Sequence, residues 1–368
     1  MSIPTRAAVV ESGGAPFTLS DVELDEPGPH EAVVRMVATG LCHTDLGVAS
    51  GGLPFPLPGV LGHEGAGVVE AVGPSVTGVA PGDHVVLSFT SCGDCRNCRG
   101  GHPAYCATWL PLNLIGGRRA DGSSTISRGG EALGGHFFGQ SSFAERALVD
   151  EASLVKVDPE VPLASIAPLG CGVQTGVGAV WNVLKPVTGS TVVVLGAGAV
   201  GLSAVMAAAL TPATNIVAVD RVAERLALAK ELGATHTVNA AEADLAEALA
   251  GITGGQGADG VVETTGNVGV LRQGVDALAA RGTLVVVGAP PFGTEVALDV
   301  NGLLGGKQVV GLTLGDAETQ TFIPALVRLV KEGRLPLHRL ISTYPFAEID
   351  QAVGDMGAGK AIKPVLTF

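Results

Sequence analysis

The feature that most constrains the fold is a regular alternation of apolar runs and helical patterns in the second half of the sequence. TVVVLG precedes AVGLSAVMAAAL, NIVAVD precedes RVAERLALAKELGA, GVVETTG precedes NVGVLRQGVDALAA, and GTLVVVGAP follows. Parallel neighbouring strands need a long connection across one face of the sheet, usually a helix, so strands that alternate with helices indicate right-handed crossovers. The sequence therefore predicts an α/β fold with a doubly wound parallel sheet in this region.

The first of these predicted strands ends in glycines spaced G-x-G-x-x-G, in the segment GAGAVG. This spacing suits a tight turn and the approach of a pyrophosphate to a helix N-terminus. Asp220 ends the next predicted strand, where a carboxylate binds ribose hydroxyls and repels a 2′-phosphate, so we expect NAD rather than NADP. Arg221 and Arg225 leave NADP open, since a nearby guanidinium accommodates that phosphate. The dinucleotide-binding residues predicted here are Gly196, Gly198, Ala199, Val200, Gly201, Asp220, Arg221 and Arg225.

The segment from Thr191 to Leu210 carries no charged residue over about twenty positions, the length of a membrane span. A buried strand that turns into a buried helix has the same hydropathy and also explains the glycines, so we expect no membrane segment here. The N-terminal sequence MSIPTRAAVVESGG lacks the basic start and apolar stretch of a secretory signal, which indicates a cytoplasmic protein. A net charge of −13 without a cluster of Lys and Arg excludes nucleic acid as a favoured partner.

Four of the six cysteines lie in one short stretch, SCGDCRNCRGGHPAYC. A reducing compartment keeps thiols free or metal-bound, which argues against a disulfide framework. An iron–sulfur cradle of the bacterial ferredoxin kind places its fourth cysteine three residues after the third and before Pro, whereas here seven residues intervene and Ala107 follows. We therefore predict a closed, tetrahedral structural zinc site with the ligands Cys92, Cys95, Cys98 and Cys106.

The other two cysteines, Cys42 in TGLCHTDL and Cys171 in PLGCGVQTG, are far apart in sequence, and His63 lies between them in LGHEGAG. Two thiolates and one imidazole form a three-ligand shell with a fourth position free for water or substrate, as a catalytic zinc requires. Asp45 is available to accept the second ring N–H of His63. The sequence therefore predicts a second, catalytic zinc.

Taken together, GLCHTDL, LGHEGAGVVEAVG, PGDHVVL, the four-cysteine stretch, LGCGVQTG, GAGAVG and IKPVLTF resemble the zinc-dependent medium-chain alcohol dehydrogenases over essentially the whole chain. LNLIGGRRADGS and GHFFGQSSFAERALV are most similar to the aryl (benzyl) alcohol dehydrogenase branch. The resemblance implies a strand-rich, GroES-like catalytic domain over residues 1–171, a Rossmann domain over 172–313, and a return to the catalytic domain over 314–368. The active site would lie in the cleft between the domains, with Gly116–Gly135 as a loop at its rim or at a contact surface.

The resemblance also implies a homodimer or homotetramer, paired through the sheet edge at Val285–Pro290 and Lys307–Gly315, and it assigns roles to individual residues. Thr44 would take the substrate proton, His43 and Lys363 would bind cofactor phosphates, and Glu64 would act electrostatically near the metal. Many family members end the proton relay with a histidine where this chain has Gly47, so the relay must end in water, a ribose hydroxyl or another base.

Two further sets of residues follow from the same resemblance. The nicotinamide would contact Thr175, Val287, Ala289, Leu312 and Leu314, and the adenosine side would contact Thr264 and Thr265. The substrate pocket would be lined by Leu53, Phe89, Trp109, Phe137 and Phe138. Since aromatic residues are only 4% of the chain, their proposed convergence here favours flat apolar substrates.

The predicted chemistry follows from the two kinds of cofactor. A zinc-bound oxygen ionises near neutral pH, and because zinc has no redox chemistry, the two electrons must leave as hydride to a nicotinamide. We therefore predict reversible, NAD-linked oxidation of aromatic or allylic primary alcohols to aldehydes. A thiol-adduct-dependent formaldehyde dehydrogenase and a non-catalytic regulatory protein that binds zinc and a dinucleotide are the alternative functions.

Overall fold

The computed structural model describes residues 2–368 and divides into two units. The first unit contains the described residues up to Cys171 together with Glu318–Phe368, and the second contains Gly172–Ala317. The return to the first unit begins at Glu318 rather than at the predicted Leu314. Asn182 donates hydrogen bonds to the carbonyls of Gly315 and Asp316, which keeps this segment with the second unit.

The strands, in chain order, are β1 (Ile3–Val10), β2 (Phe17–Leu24), β3 (Glu31–Gly40), β4 (Gly59–Val60), β5 (Gly65–Val72), β6 (His84–Leu87), β7 (Ile126–Arg128), β8 (Glu131–Ala132), β9 (Arg146–Asp150), β10 (Leu154–Lys156), β11 (Thr191–Leu195), β12 (Asn215–Asp220), β13 (His236–Asn239), β14 (Ala258–Glu263), β15 (Leu278–Val286), β16 (Gln308–Gly311), β17 (Ile341–Pro345) and β18 (Lys363–Thr367).

The α-helices are α1 (His43–Ala49), α2 (Arg96–Arg99), α3 (Leu163–Ile166), α4 (Gly172–Gly178), α5 (Ala199–Ala209), α6 (Ala223–Glu231), α7 (Leu245–Thr253), α8 (Val268–Asp276), α9 (Val300–Leu303), α10 (Thr319–Lys331) and α11 (Ile349–Gly357). Two π-helical turns occur at Pro111–Ile115 and Ala179–Leu184. Short 3₁₀ turns occur at Pro103–Tyr105, Phe137–Gly139, Glu151–Ser153, Ala167–Gly170, Leu314–Asp316, Leu337–Arg339 and Phe346–Glu348.

The first unit is rich in strands and contains two sheets. One has the order β4-β1-β2-β7-β8, and the other has the order β10-β6-β5-β3-β18-β17 with β9 also paired to β3. β18 pairs antiparallel with β3, so the returning chain completes the sheet that the first residues began. Buried aliphatic side chains from β3, β5, β6 and β9 form a core between these strands and the β10 segment.

The second unit contains one six-stranded sheet in the order β13-β12-β11-β14-β15-β16, and every pair in it is parallel. This confirms the predicted α/β fold with a parallel sheet. The chain moves from β11 to one side through β12 and β13, and then returns to the other side of β11 with β14. The order therefore reverses beside β11, and ligands of open α/β sheets bind at such a reversal, outside the carboxyl ends of the strands.

The apolar segment that has the length of a membrane span is a strand followed by a helix, β11 and α5, with buried side chains from both. Within residues 2–368, no individual helix has both the length and the apolar character needed to cross a bilayer. By length and composition alone, the bent pair Leu163–Gly170 and Gly172–Leu184 does meet this criterion when its two parts are combined.

Candidate metal centres and dinucleotide-binding edge

The three predicted ligands of the open metal site come together in the first unit. Cys42 immediately precedes α1, His63 lies between β4 and β5, and Cys171 follows the 3₁₀ turn at Ala167–Gly170. One ligand atom from each residue lies within 4.8 Å of the other two. His63 is fully buried, and its Nε2 has no hydrogen-bond partner among the described residues. A buried, unpaired imidazole nitrogen beside two thiols fits a zinc ion, which takes nitrogen and sulfur ligands.

Asp45 fixes the orientation of these ligands. Its Oδ1 accepts hydrogen bonds from His63 Nδ1 at 2.9 Å and from the Gly62 N–H at 3.1 Å. Its Oδ2 accepts the Cys42 N–H at 2.9 Å. Burial, the largest single influence, lowers the pKa of His63, but the charges of Asp45 and Cys42 and the hydrogen bonds to them together raise that pKa well above its usual value. With Nδ1 donating to Asp45, Nε2 is the nitrogen available to a metal, which would displace any proton held there.

The two thiols of this site differ in acidity because they are hydrogen-bonded to each other. The bond from Cys171 lowers the pKa of Cys42 far below that of a free thiol, and His63 adds to the effect. The same bond, together with burial, raises the pKa of Cys171. One proton is therefore shared by the pair, and it must leave when both sulfurs bind a metal.

Lys363 forms a buried ion pair with Glu64, which corrects its predicted role. Its Nζ lies 2.9 Å from both carboxylate oxygens of Glu64 and 2.9 Å from the Leu41 carbonyl. An ammonium has three N–H donors, and these three acceptors occupy all of them. The assignment of Lys363 to the cofactor phosphates is therefore wrong. Burial raises the pKa of Glu64 to about 7, although Lys363 acts in the opposite direction.

The start of α1 carries the residues predicted for proton transfer. Thr44 Oγ1 lies 3.8 Å from Cys42 Sγ, beside the metal ligands. His43 opens the helix and is exposed. A side chain added at Gly47 would begin 2.9 Å from Leu53 Cδ1. Leu53, one of the residues predicted to line the substrate pocket, therefore packs directly against Gly47.

Two of the predicted pocket residues contact His63, and a third contacts one of these two. The ring of Phe138 stacks on the imidazole, with centroids 4.4 Å apart and planes at 23°, and Phe137 meets it edge-on at 5.3 Å. Trp109 meets Phe138 edge-on at 5.6 Å. Phe138 is held in the left-handed region at a φ of 53°, a strained conformation that occurs most often at functional sites. Phe89 is buried just beyond β6.

The four clustered cysteines form the second metal-ligand group, with sulfur atoms all within 4.8 Å of one another. Backbone N–H groups point at the sulfurs: Cys92 N–H donates to Cys106 Sγ at 3.3 Å, and Ala107 N–H donates to Cys95 Sγ at 3.4 Å. The Ala107 and Cys98 N–H groups lower the pKa of Cys95 to about 6. Four sulfurs in a polar loop, with thiolates stabilised by N–H donors, fit a closed zinc site.

The predicted dinucleotide-binding residues collect at one edge of the second unit. Most of them follow the carboxyl ends of parallel strands, and Thr175 lies in α4. Thr264 Oγ1 donates to the carbonyl of Leu195 at 2.8 Å, and so ties β14 to the glycine loop. The strand-end set comprises Gly196 after β11, Asp220 with Arg221 and Arg225 at and after β12, Thr264 and Thr265 after β14, Val287 and Ala289 after β15, and Leu312 and Leu314 after β16.

The glycine loop between β11 and α5 has the geometry that a pyrophosphate needs. Gly196 has a φ of 98°, which only glycine adopts without strain. A side chain at Gly201 would begin 1.8 Å from the Gly196 carbonyl, whereas the space beside Gly198 is open. Asp220 Oδ2 accepts the Ala197 N–H at 2.6 Å, which places the carboxylate next to the loop. Oδ1 accepts the N–H groups of Arg221 and Val222 at 2.7 and 3.0 Å, so the acceptor position left for a ribose hydroxyl is on Oδ2.

Two buried polar residues support these sites and were missed by the sequence analysis. Gln140 donates to the carbonyls of His63 and Ser88, at 3.1 and 2.8 Å, and accepts the Gly65 N–H. Glu263 is fully buried and accepts the N–H groups of Thr265 and Gly266 at 2.6 and 3.1 Å. The available signal was a long polar side chain that directly follows an apolar stretch, Gln140 after FFG and Glu263 after GVV.

Comparison with known proteins agrees with both halves of this arrangement. The family description "Alcohol dehydrogenase GroES-like domain" matches residues 28–159, and "Zinc-binding dehydrogenase" matches residues 199–332. Geraniol dehydrogenase from Castellaniella defragrans is 42% identical over 100% of this chain and 98% of its own length.

Two solved structures are similar over the full length. The crystal structure of an alcohol dehydrogenase zinc-binding domain protein from Burkholderia ambifaria has 52% identity and a TM-score of 0.97, covering 100% of both chains. Benzyl alcohol dehydrogenase from Acinetobacter calcoaceticus has 46% identity and a TM-score of 0.96, covering 100% of this chain and 99% of its own.

Proposed function

The chain belongs to the zinc-binding, medium-chain alcohol dehydrogenase family, and from this membership we propose that it oxidises aromatic or allylic primary alcohols to aldehydes in a reversible, NAD-linked reaction. The observation that carries the proposal is the stacking of Phe138 on His63, at 4.4 Å, beside an open three-ligand set. A flat substrate would find aromatic rings next to the metal, where edge-to-face and offset contacts favour aromatic and conjugated groups.

The two full-length relatives support this range of substrates. One is named for geraniol and the other for benzyl alcohol. Both names describe primary alcohols with a double bond or a ring next to the carbinol carbon. Oxidation of either alcohol gives a conjugated aldehyde. The proposed pocket residues Trp109, Phe137 and Phe138 suit both an aromatic and an allylic substrate.

The residues would divide the chemistry as follows. When bound, zinc at Cys42, His63 and Cys171 supplies Lewis acidity to the alcohol oxygen, and NAD at the glycine loop accepts the hydride. Thr44 Oγ1 would take the proton of the alcohol and pass it on. Asp45 keeps His63 in the tautomer that presents Nε2, and Glu64 adds negative charge balanced by Lys363. A second zinc at the four cysteines would stabilise its lobe without touching substrate.

NAD preference rests on Asp220, whose carboxylate stands beside the glycine loop. A 2′-phosphate would meet a like charge there, which disfavours NADP. His43 is exposed at the start of α1 and remains our candidate for a cofactor phosphate.

The direct test is a substrate panel. Purified, zinc-loaded protein is mixed with NAD or NADP and with benzyl, cinnamyl, geranyl or perillyl alcohol or propan-1-ol, and the absorbance of the reduced nicotinamide is followed. We expect kcat/KM to be highest with NAD and the conjugated alcohols, and Cys171→Ser to abolish the signal. If protein with two zinc ions per chain reduces neither cofactor with any primary alcohol, the non-catalytic alternative is favoured. Activity that requires both a thiol and formaldehyde would favour the alternative of a thiol-adduct-dependent formaldehyde dehydrogenase.

A further inference from the structure

A buried amide at the base of the four-cysteine lobe has no role in the sites described so far. Asn113 lies in the π-helical turn Pro111–Ile115 and is fully buried. Its Oδ1 accepts the Thr90 N–H at 2.9 Å, and its Nδ2 donates to the carbonyls of Thr90 and Trp109, both at 2.9 Å. Both donors of the amide and one acceptor position are therefore used by backbone groups.

The two partners of Asn113 lie on either side of the four-cysteine lobe, the segment Cys92–Cys106. Thr90 stands two residues before Cys92, and Trp109 stands three residues after Cys106. The Trp109 N–H also donates to the Cys106 carbonyl at 2.9 Å. The four cysteines thus cluster within the lobe. Asn113 links the backbone just before the lobe, at Thr90, to the backbone just after it, at Trp109.

The same bonds fix one wall of the predicted substrate pocket. Trp109 meets Phe138 at 5.6 Å, and Phe138 stacks on His63. Thr90 supports the turn that carries Phe138, because a side chain at Gly139 would begin 2.9 Å from Thr90 Cβ. One amide therefore controls the spacing between the backbone of Trp109 and the backbone beneath Phe138. A π-helical turn interrupts regular helix spacing and is common near functional sites, where it reorients a side chain.

We propose that Asn113 is a positioning residue that holds Trp109 against Phe138 and thereby sets the preference for large flat alcohols over short aliphatic ones. This inference rests on the proposed oxidation of aromatic or allylic alcohols. Asn113 has no hydrogen bond to a metal ligand and acts through the backbone of Thr90 and Trp109. An edge-to-face contact depends on ring position, so a loosened Trp109 would lose its contact with a ring-shaped substrate, whereas a three-carbon alcohol is too short to use that wall.

The first test compares kcat/KM for benzyl alcohol with that for propan-1-ol in Asn113→Ala. We expect the ratio to fall roughly tenfold through a higher KM for benzyl alcohol, the scale of one pocket contact, with two zinc ions per chain retained. The matched control is Asn182→Ala, which also removes an amide bonded to two backbone carbonyls, in the other unit. The control should leave the ratio unchanged. An unchanged ratio in Asn113→Ala, or a loss of zinc from it, would overturn the proposal.

A double-mutant cycle tests the route through Trp109. If Asn113 acts by positioning this side chain, Asn113→Ala should have no further effect on the ratio in a Trp109→Ala background. Equal effects in both backgrounds would contradict the proposal. Should Asn113→Ala fail to fold, Asn113→Ser replaces it, because it keeps a polar side chain at this buried position while removing the amide. Trp109→Ala alone must still lower the ratio, and a ratio that survives Trp109→Ala overturns the proposal.

A spectroscopic readout separates this inference from the proposed function. The chain has two tryptophans, so Trp181→Phe leaves Trp109 as the single reporter. In that background, Asn113→Ala should shift the emission of Trp109 to longer wavelength, as the ring loses its fixed contacts and gains water. An unchanged emission spectrum would contradict the proposal that Asn113 positions Trp109. If the wild-type chain oxidises no alcohol, the proposed function fails, and the emission experiment still decides whether Asn113 positions Trp109.

Discussion

At the scale of single residues, the open metal site depends on three side chains that no local sequence pattern connects. Cys171→Ser should remove one metal ion per chain and lower kcat/KM at least about 100-fold, because even the outer partners of metal ligands change activity 10- to 100-fold. Cys95→Ser is the matched variant in the other cysteine group. It should lose the other ion and reduce thermal stability more than turnover. Metal analysis together with NADH formation would distinguish them, and the reverse pattern would mean that the two sites were assigned the wrong way round.

Asp220 carries the prediction on cofactor choice. Asp220→Ala should lower kcat/KM for NAD by roughly tenfold or more, the loss expected for a hydrogen bond to a charged group, and should raise the relative use of NADP. Because Oδ2 also accepts the Ala197 N–H, the Ala variant loses support for the glycine loop. Asp220→Asn removes the charge and keeps one of the two acceptor oxygens, so it removes repulsion of the 2′-phosphate with less damage to the backbone contacts than the Ala variant. An unchanged ratio of NAD to NADP in both variants would remove Asp220 from this role.

The limits of sequence analysis are clearest at this scale. Cys42, His63, Cys171 and Asp45 could be predicted because zinc chemistry demands those residue types in combination. Lys363 could not, since the sequence gives no sign that Glu64 lies opposite it and takes up its donors. Asn113, Gln140 and Glu263 each act through backbone groups of distant segments, and a single buried polar residue leaves no periodic signal.

At the scale of elements, the packing of β11 against α5 depends on how closely their backbones approach at the glycine loop. Gly201→Ala places a methyl group against the Gly196 carbonyl, so it should destabilise the second unit by about 1–3 kcal/mol and abolish NAD binding. Gly198→Ala has open space around it and should fold normally while binding NAD more weakly. Thermal unfolding and NAD titration of the two variants provide the comparison. Equal unfolding temperatures would contradict the close-packing argument.

The turn that carries Phe137 and Phe138 adds a pH dependence through His136, which is buried at its start. Burial lowers the pKa of His136; Arg119 adds to this, while Asp150 and Glu31 oppose it. Below about pH 6.5, this histidine binds a proton more readily in the unfolded chain than in the folded one. The free energy of unfolding should therefore decrease as the pH is lowered, by at most about 1.4 kcal/mol per pH unit. Burial raises the pKa of Asp150, which acts in the opposite sense at lower pH.

His136→Gln should flatten this dependence. Denaturant unfolding at pH 7.5 and pH 5.5 would measure it, with the exposed His338→Gln as the control. The control should retain the wild-type slope. A wild-type slope that persists in His136→Gln would assign the dependence to other groups.

Elements with strong periodicity were predicted well, and short ones were not. β11, β12 and β14 and the helices after them follow from apolar runs with helical patterns between them. The Gly, Ser and Arg rich segment Gly116–Gly135 was expected to be a loop, yet it contains the β7–β8 hairpin. Arg119 in this segment forms a two-point ion pair with Glu31, at 2.7 and 3.0 Å. Such long-range pairing overrides local turn propensity and cannot be found from composition.

At the scale of the whole molecule, the edge strand of the second unit is the surface best suited to association with another protein chain. β16 ends the sheet, and Val309 within it is 41% exposed. Val300 and Leu304, in the segment that leads into β16, are 72% and 80% exposed. An unpaired strand edge beside exposed apolar side chains is a template for association. We propose that a second copy of the chain pairs here. Sedimentation velocity should show a dimer or a dimer of dimers for the wild type and a monomer for Val300→Lys/Leu304→Lys. A monomeric wild type would contradict this.

The ion pair between Lys363 and Glu64 joins residues 299 positions apart, and the entire second unit is made between them. A ribosome therefore releases the metal-binding segment long before the strand that neutralises it. Until β18 emerges, Glu64 lacks the counter-charge that it has in the complete fold. The neutralisation of this buried carboxylate therefore follows translation of both units, and it is completed only by the strand that closes the first sheet.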